Sequence, residues 1–235
     1  MAEPKASLYV IQHTDSEFLG LIEDHLEGRG IRFSYMRPHT AKGRLPATVK
    51  FTDGVFLLGG GPWGAAGVND LPSLAEETEL TRQCLAQGTP VIGVGLGASI
   101  LALAAGGGVE ACETRFHVGE ARRIDDGALN RFLPETFPYA LFMRDRPVPP
   151  PTARVLAVDE EGRPALFQVG ANSFGFVGHP GIKVAMVEDL AMEFGDVVPN
   201  LLGGFDKLRS RQRTIEDALV PIMTGLVQIT GWMRK

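Results

Sequence analysis

The sequence predicts an α/β fold with a mostly parallel central sheet, helices on both faces and an antiparallel edge. In the first half of the chain, short apolar runs alternate with amphipathic segments whose apolar residues recur at helical spacing. This alternation is typical of parallel sheets, whose strands are buried on both faces by the connecting helices. Between residues 118 and 177 the apolar runs are short and turn signals separate them, which favours antiparallel strands.

Each predicted element has a sequence reason. The parallel strands share a short apolar run that glycine, proline or polar residues bound, and they cover 8–12, 31–36, 55–58 and 90–94. The helices share apolar residues three or four positions apart, and they cover 16–26, 74–86 and 98–105. Ser16 is predicted to cap the first of these helices. The antiparallel strands are predicted at 139–143, 155–158, 165–169 and 174–177, and helices return after His179.

Composition excludes several classes of function. The chain has 235 residues, of which 44% are hydrophobic and 22% charged. This is expected for one globular domain whose core is large enough to be stable without a disulfide or a structural metal. The net charge is −5, and the sequence has no evident basic face that would bind nucleic acid. No apolar run reaches the roughly 18 residues of a membrane span, and the first residues lack the pattern of a signal peptide. We therefore expect a cytoplasmic protein that binds neither nucleic acid nor membranes.

The two cysteines, Cys84 and Cys112, have neither C-x-x-C spacing nor a neighbouring histidine cluster. A zinc site or a disulfide is therefore not expected, and no metal or cofactor is predicted. Both cysteines are expected to be buried or half-buried, where they act as small apolar side chains.

A glycine-rich loop follows the third predicted strand. Residues 53–62 run from an apolar strand into Gly59, Gly60 and Gly61. Consecutive glycines let the backbone approach a developing negative charge and direct its N–H groups at that charge. The same pattern also fits a simple turn at the end of a strand.

A second glycine motif spans residues 93–99, where the fourth strand passes into a helix. A residue at the tip of such a sharp turn, here Gly95, is expected to have a positive φ. Gly93, Gly95 and Ala98 also satisfy a dinucleotide-binding fingerprint, with Glu113 roughly where the acidic residue is expected. That fingerprint normally follows the first strand of a domain, whereas some 90 residues precede it here.

Together with the segment 174–181, which ends a strand with His179, these motifs resemble those of class I glutamine amidotransferases. The family's turn reads Gly-Val-Cys-Leu-Gly-x-Gln, and this chain has Gly95 in place of the nucleophilic cysteine and Ser99 in place of the glutamine. His179 matches the catalytic histidine, and Gly181 replaces the glutamate that orients it. Near the family's His-x-Asp pair, Arg144 or its neighbour stands where a histidine is expected. The resemblance covers about residues 8–195.

The resemblance implies the flavodoxin-like fold of this family and an incomplete Cys-His-Glu triad at Gly95, His179 and Gly181. It also implies a ligand-binding role for residues around the turn and the loop: Gly59, Gly60, Gly61, Leu96 and Ser99. Amide hydrolysis in the family needs a thiolate, an imidazole and a carboxylate. We therefore predict a catalytically silent protein, a pseudoenzyme that serves as a binding or regulatory subunit of a partner enzyme. The alternatives are an enzyme of different chemistry that uses His179 and, less favoured, an active glutaminase.

The chain is predicted to consist of an amidotransferase-like domain, residues 1–205, and a helical extension, residues 206–235. Apolar residues of the extension recur at helical spacing, so it packs either on its own sheet or on a partner. Pro221 is expected to kink or restart this helix. The predicted partners are another protein, a second copy of the chain, or a small carboxylate ligand in the pocket beside Gly95.

Overall fold

The computed structural model describes residues 4–195 and 201–233. Within this part of the chain the strands are β1 (Ala6–Ile11), β2 (Ile31–Met36), β3 (Gly54–Leu57), β4 (Val91–Val94), β5 (Gly108–Arg123), β6 (Thr136–Val148), β7 (Arg154–Val158), β8 (Pro164–Val169) and β9 (Ser173–Phe176). The helices are α1 (Leu21–Glu27), α2 (Leu74–Gln87), α3 (Leu96–Ala104), α4 (Val184–Phe194) and α5 (Leu201–Thr230), with a short 3₁₀ turn at Ala128–Arg131.

All the strands join one sheet in the order β2-β1-β3-β4-β9-β8-β7-β5-β6. The four pairs from β2 to β9 in this order are parallel. The four pairs from β9 to β6 are antiparallel. The predicted fold class is therefore confirmed. In the register of β4 and β9, Val94 pairs with Phe176, so the turns that follow both strands lie side by side.

Helices cover both faces of the parallel part because side chains alternate along each strand. In β3, Phe56 lies in a cluster with residues of α1 and α5, whereas Val55 and Leu57 lie in another cluster with residues of α2 and α3. No helix among the described residues is long and apolar enough to cross a membrane.

The C-terminal helix α5 packs on the chain's own sheet. Leu219, Ile222 and Leu226 are fully buried in the cluster that includes β3. Beyond the helix, Trp232 is 2% exposed, and its Nε1 donates a hydrogen bond of 2.8 Å to the carbonyl of Asp53. The helix continues through Pro221, so it does not restart there, and the alternative that Pro221 kinks the helix stays a prediction. The proposed boundary at 205 falls inside α5, and the division into two parts stays a prediction.

The chain departs from a local prediction at Ser16, and the pairing of one strand is irregular. Ser16 does not cap a helix: α1 begins only at Leu21, and the Ser16 hydroxyl donates to Glu193 at 2.5 Å. The long strand β5 contains an irregularity in its pairing with β6, between Ala111 and Arg115.

Candidate functional site

The turn between β4 and α3 has the geometry that the sequence predicts. Gly95 has φ 58° and ψ −116°, and its N–H donates to the carbonyl of Phe176 at 2.9 Å. The expected positive φ is confirmed, and an L-residue would be strained in this conformation. A Cβ at Gly95 would nevertheless meet only the Cα of Gly59, at 3.4 Å. The turn therefore has room for the first atom of a side chain.

The glycine loop lies beside this turn and is closely covered. A Cβ on Gly60 would overlap the side chain of Leu96, the first residue of α3. A Cβ on Gly61 would lie 2.9 Å from the ring of Phe194. The structure thus brings the predicted ligand-binding glycines and Leu96 together at the carboxyl ends of β3 and β4, where parallel sheets place their sites.

Glu17, which the sequence analysis did not single out, occupies the space above this loop. Its carboxylate fills the position that a Cβ on Gly59 would take, and it accepts a hydrogen bond from the N–H of Gly61. Burial raises the pKa of Glu17 to about 7, and the charge of Glu193 adds to this effect. The hydrogen bond from Gly61 and the charge of His13 act in the opposite direction.

A buried ion pair lies on the other side of the loop. His13 Nε2 is 2.7 Å from Glu77 Oε2, and both side chains are completely buried. Nδ1 of the same ring lies 3.1 and 3.0 Å from the carbonyl oxygens of Leu58 and Gly59. Because both nitrogens face only acceptors, each carries a hydrogen and the ring is an imidazolium.

His13 is buried just after the end of β1 and yet holds a proton readily. Burial alone would lower the pKa of His13, but the charge and hydrogen bond of Glu77 outweigh it and hold the pKa above its ordinary value. The same carboxylate also accepts from the hydroxyl of Ser73 at 2.6 Å. The carbonyl groups of Leu58 and Gly59, at the start of the glycine loop, are therefore held by the charged ring of His13.

His179 is held by backbone groups on both sides of its ring. Its Nε2 lies 2.9 Å from the carbonyl of Phe18, and the N–H of Gly181 donates to its Nδ1 at 3.1 Å. These partners define a neutral ring with its hydrogen on Nε2. Burial lowers the pKa of His179 to about 4, against a smaller opposing effect of the Phe18 carbonyl.

One small cavity is lined by Gly95, His179 and Glu17, among other residues. Its volume is about 10 Å³, close to the smallest space that holds one water molecule. The two predicted positions Gly95 and His179 therefore converge, but the space between them is nearly closed.

The remaining predicted positions lie in apolar or closed surroundings. A Cβ on Gly181 would be 3.0 Å from Ile22 Cγ1 and 3.1 Å from Leu219 Cδ2, so a carboxylate there would enter the core. Ser99 is fully buried, and its hydroxyl has no hydrogen-bond partner among the described residues.

Two residues of β6 hold the segment that follows the glycine loop. Arg144 Nη1 donates to the carbonyl of Pro62 at 3.2 Å. Asp145 Oδ2 accepts from the N–H groups of Ala65 and Ala66 at 2.6 and 3.1 Å. Only the resemblance around Arg144 pointed to this stretch of the sequence.

The cysteines and the dinucleotide alternative fit the site poorly. Cys84 is buried in α2, which raises its pKa to about 12, and Cys112 is half-buried in β5. Neither lines the cavity beside Gly95.

The dinucleotide alternative requires an acidic residue at the end of the strand next to the glycine motif. Glu113 lies in β5, whereas the neighbours of β4 are β3 and β9, so Glu113 does not end that strand.

Sheet order, glycine loop and strand-to-helix turn together define a domain of the amidotransferase type. The model of the family "Glutamine amidotransferase class-I" matches residues 12–163, more than half of the chain. The chain therefore belongs to the class-I glutamine amidotransferase family. A search of curated proteins finds no match.

Solved structures agree with this fold. A glutamine amidotransferase from Thermotoga maritima superposes with a TM-score of 0.81 at 18% identity, over 97% of this chain and 99% of that one. A glutamine amidotransferase from Methylobacillus flagellatus gives 0.81 at 21% identity, over 96% and 95%. A Thermoplasma acidophilum protein assigned as a GMP synthase subunit gives 0.58 at 15% identity, over 88% and 98%. At these identities the likeness concerns the fold alone.

Proposed function

We propose that this chain is a member of the family that does not hydrolyse glutamine and that acts as a binding or regulatory subunit of a partner enzyme. The observation that carries the proposal is Gly95, which stands at the strained tip between β4 and α3 with no side chain. A residue at such a tip is the attacking group in enzymes built on this turn. Without a thiol at this position, no covalent intermediate with glutamine forms.

The groups around Gly95 support the same conclusion. The carboxyl group of Glu17 takes the hydrogen bond of Gly61 that would otherwise stabilise an oxyanion. The Nε2 hydrogen of His179 is engaged by the carbonyl of Phe18, and Nδ1 accepts from a backbone N–H. A ring held in this way lacks the free nitrogen and the carboxylate partner of a general base.

These contacts also favour the proposal over the alternative of a different chemistry that uses His179. General bases work best when their pKa lies near the operating pH, whereas burial lowers the pKa of His179 to about 4. A small carboxylate ligand would have to displace Glu17 from the loop, because the cavity beside Gly95 holds about 10 Å³. The protein's own carboxyl group thus takes the place that was predicted for the ligand.

The partner is proposed on the basis of the fold neighbours. One structural neighbour is assigned as a subunit of a GMP synthase, and we carry the role of a subunit, not the pathway, to this chain. The cysteines in the described part of the chain are unpaired, consistent with the predicted cytoplasmic location. Purification of the native protein from its host should therefore yield a stoichiometric complex, and recovery of the chain alone under gentle conditions would contradict this role.

The test of catalytic silence is the release of glutamate and ammonia from glutamine by the native chain and by Gly95→Cys. We expect no activity from either protein, because the substitution restores the thiol but leaves Glu17 on the loop and no carboxylate beside His179. Gly170→Cys is a matched control, since Gly170 has φ 59° and open space around its Cβ position. Each cysteine variant should lose on the order of 1 kcal/mol of stability.

Two results would contradict the proposal. Glutamine hydrolysis by the native chain would show that another group serves as the nucleophile. Robust hydrolysis by Gly95→Cys alone would show that the rest of the site is competent and that only the nucleophile is missing.

A further inference from the structure

Three arginines line a cavity on the antiparallel side of the sheet. The cavity has a volume of about 360 Å³ and is lined by Glu110, Ala111, Cys112, Glu113, Arg115, Arg146 and Arg163. It lies where the pairing of β5 and β6 is interrupted between Ala111 and Arg115. Bulges of this kind redirect side chains and are frequent beside binding sites.

Two of the three guanidinium groups in this cavity lack partners for buried N–H groups. Arg115 Nε and Arg146 Nη1 are inaccessible to solvent and have no hydrogen-bond partner among the described residues. A guanidinium group stays charged at any ordinary pH. Buried donors without acceptors are rare in folded proteins because each costs about 1–3 kcal/mol, more when the group is charged.

Carboxylates within the described part of the protein accept no hydrogen bond from these two N–H groups. Asp159 Oδ2 is 3.1 Å from Arg163 Nε, and Glu161 also pairs with Arg163, so this third arginine is already matched. The same Asp159 oxygen is 3.9 Å from Arg146 Nη1, which is too far for a hydrogen bond. Across the described residues, no carboxylate lies within 4 Å of a side-chain nitrogen of Arg115.

We propose that this cavity binds the phosphate group of a small ligand through Arg115 and Arg146. Both guanidinium groups line the cavity, and a planar guanidinium group matches the oxygens of a phosphate, which accepts several hydrogen bonds at once. The volume of the cavity lies in the range of small-molecule sites. Glu110 and Glu113 also line it, but both are exposed, so water screens their repulsion of an anion. This site does not depend on the function proposed for Gly95.

The first test is calorimetric titration of the whole chain with inorganic phosphate, against chloride at equal ionic strength. We expect saturable binding that Arg115→Gln and Arg146→Gln each weaken by roughly tenfold or more, as the loss of a charge-assisted hydrogen bond does. Arg82→Gln is the matched control, because Arg82 is exposed and pairs only with Glu79 in its own helix. Succinate replaces phosphate in a parallel titration to test for a carboxylate ligand.

A second measurement avoids variants and therefore does not depend on their folding. Arginines of the native chain are modified with phenylglyoxal, and the sites are quantified by mass spectrometry with and without phosphate. Phosphate should protect Arg115 and Arg146 but not Arg82. Absence of saturable phosphate binding, equal weakening by Arg82→Gln, tighter binding of succinate, or protection spread evenly over all three arginines would each overturn the proposal.

Discussion

Replacement of Glu17 by glutamine should change how the stability of the protein depends on pH. The folded-state pKa of Glu17 is about 7, above its ordinary value of 4.5. Between these values the folded state holds a proton that the unfolded state has released, so this group makes the protein less stable as pH rises. The difference of about 2.5 units, at about 1.4 kcal/mol per unit, amounts to roughly 3 kcal/mol above pH 7.

His179 acts in the opposite direction within the same pH range. Its folded-state pKa of about 4 lies below the ordinary 6.5. Between these values the unfolded state binds the proton and the folded state does not, so this group makes the protein more stable as pH rises. In the native chain the two contributions largely cancel between about pH 4.5 and 6.5. A single substitution is therefore needed to reveal either one.

The assay is urea unfolding of the native chain and Glu17→Gln at several values from pH 4.5 to 8. Glutamine keeps an oxygen that accepts from the N–H of Gly61, but it does not titrate. The variant should match the native chain at the acidic end and gain about 1.4 kcal/mol per pH unit relative to it up to about pH 7. Groups common to both proteins, including His13 and Glu193, drop out of this difference to first order.

The matched control is Glu27→Gln, since Glu27 is an exposed residue of α1. Its stability relative to the native chain should vary little over the same pH range. A difference between Glu17→Gln and the native chain that does not change with pH would refute the reasoning. Such a result would mean that Glu17 stays ionised throughout and that the backbone stabilises its charge.

Two further stability predictions follow from buried contacts, both measured by urea unfolding. His13→Phe should lower the free energy of unfolding by about 3–5 kcal/mol, because it leaves Glu77 buried without its cation. The double variant His13→Phe with Glu77→Leu should recover much of this loss. Equal losses in the single and double variants would argue against a buried ion pair. Trp232→Ala should lower the free energy of unfolding by about 3–5 kcal/mol. Met233→Ala, at the neighbouring exposed position, should change it by less than about 0.5 kcal/mol. A small effect at Trp232 would mean that this residue does not contribute to the core.

Local patterns predicted the framework of the site because their causes are local. The strand predicted at 31–36 coincides with β2, since glycines precede it and its apolar residues alternate. The positive φ of Gly95 follows from a sharp passage from strand to helix, which a motif of seven residues defines. The glycine loop likewise follows from one strand and its three terminal glycines.

The groups that fill the site could not be predicted because their partners are distant in sequence. His13 meets Glu77 64 positions away, and Glu17 meets Gly61 44 positions away. No spacing rule connects such residues, and single polar residues after a strand are usually at the surface. The C-terminal apolar residues were predicted to form a helical face, but only the structure shows that the face packs on the chain's own sheet.

One loop supplies the groups that contact the glycine loop and His179. Residues 12–20, between β1 and α1, supply the His13 ring that bonds Gly59, the Glu17 carboxylate that bonds Gly61 and the Phe18 carbonyl that bonds His179. The sequence analysis placed part of a helix here, yet these residues leave the helical path and are largely buried. Their contacts are with Gly59, Gly61 and His179, three of the positions that the sequence analysis assigned to the site.

The loop therefore explains why we expect a thiol at position 95 to stay inactive. Such a thiol would share its cavity with Glu17, and a nearby negative charge disfavours a thiolate. Protonation of Glu17 would remove that repulsion, but the carboxyl group would still cover the N–H of Gly61. The absence of a side chain at Gly95 and the position of Glu17 on the loop therefore both support the proposal that the chain does not hydrolyse glutamine.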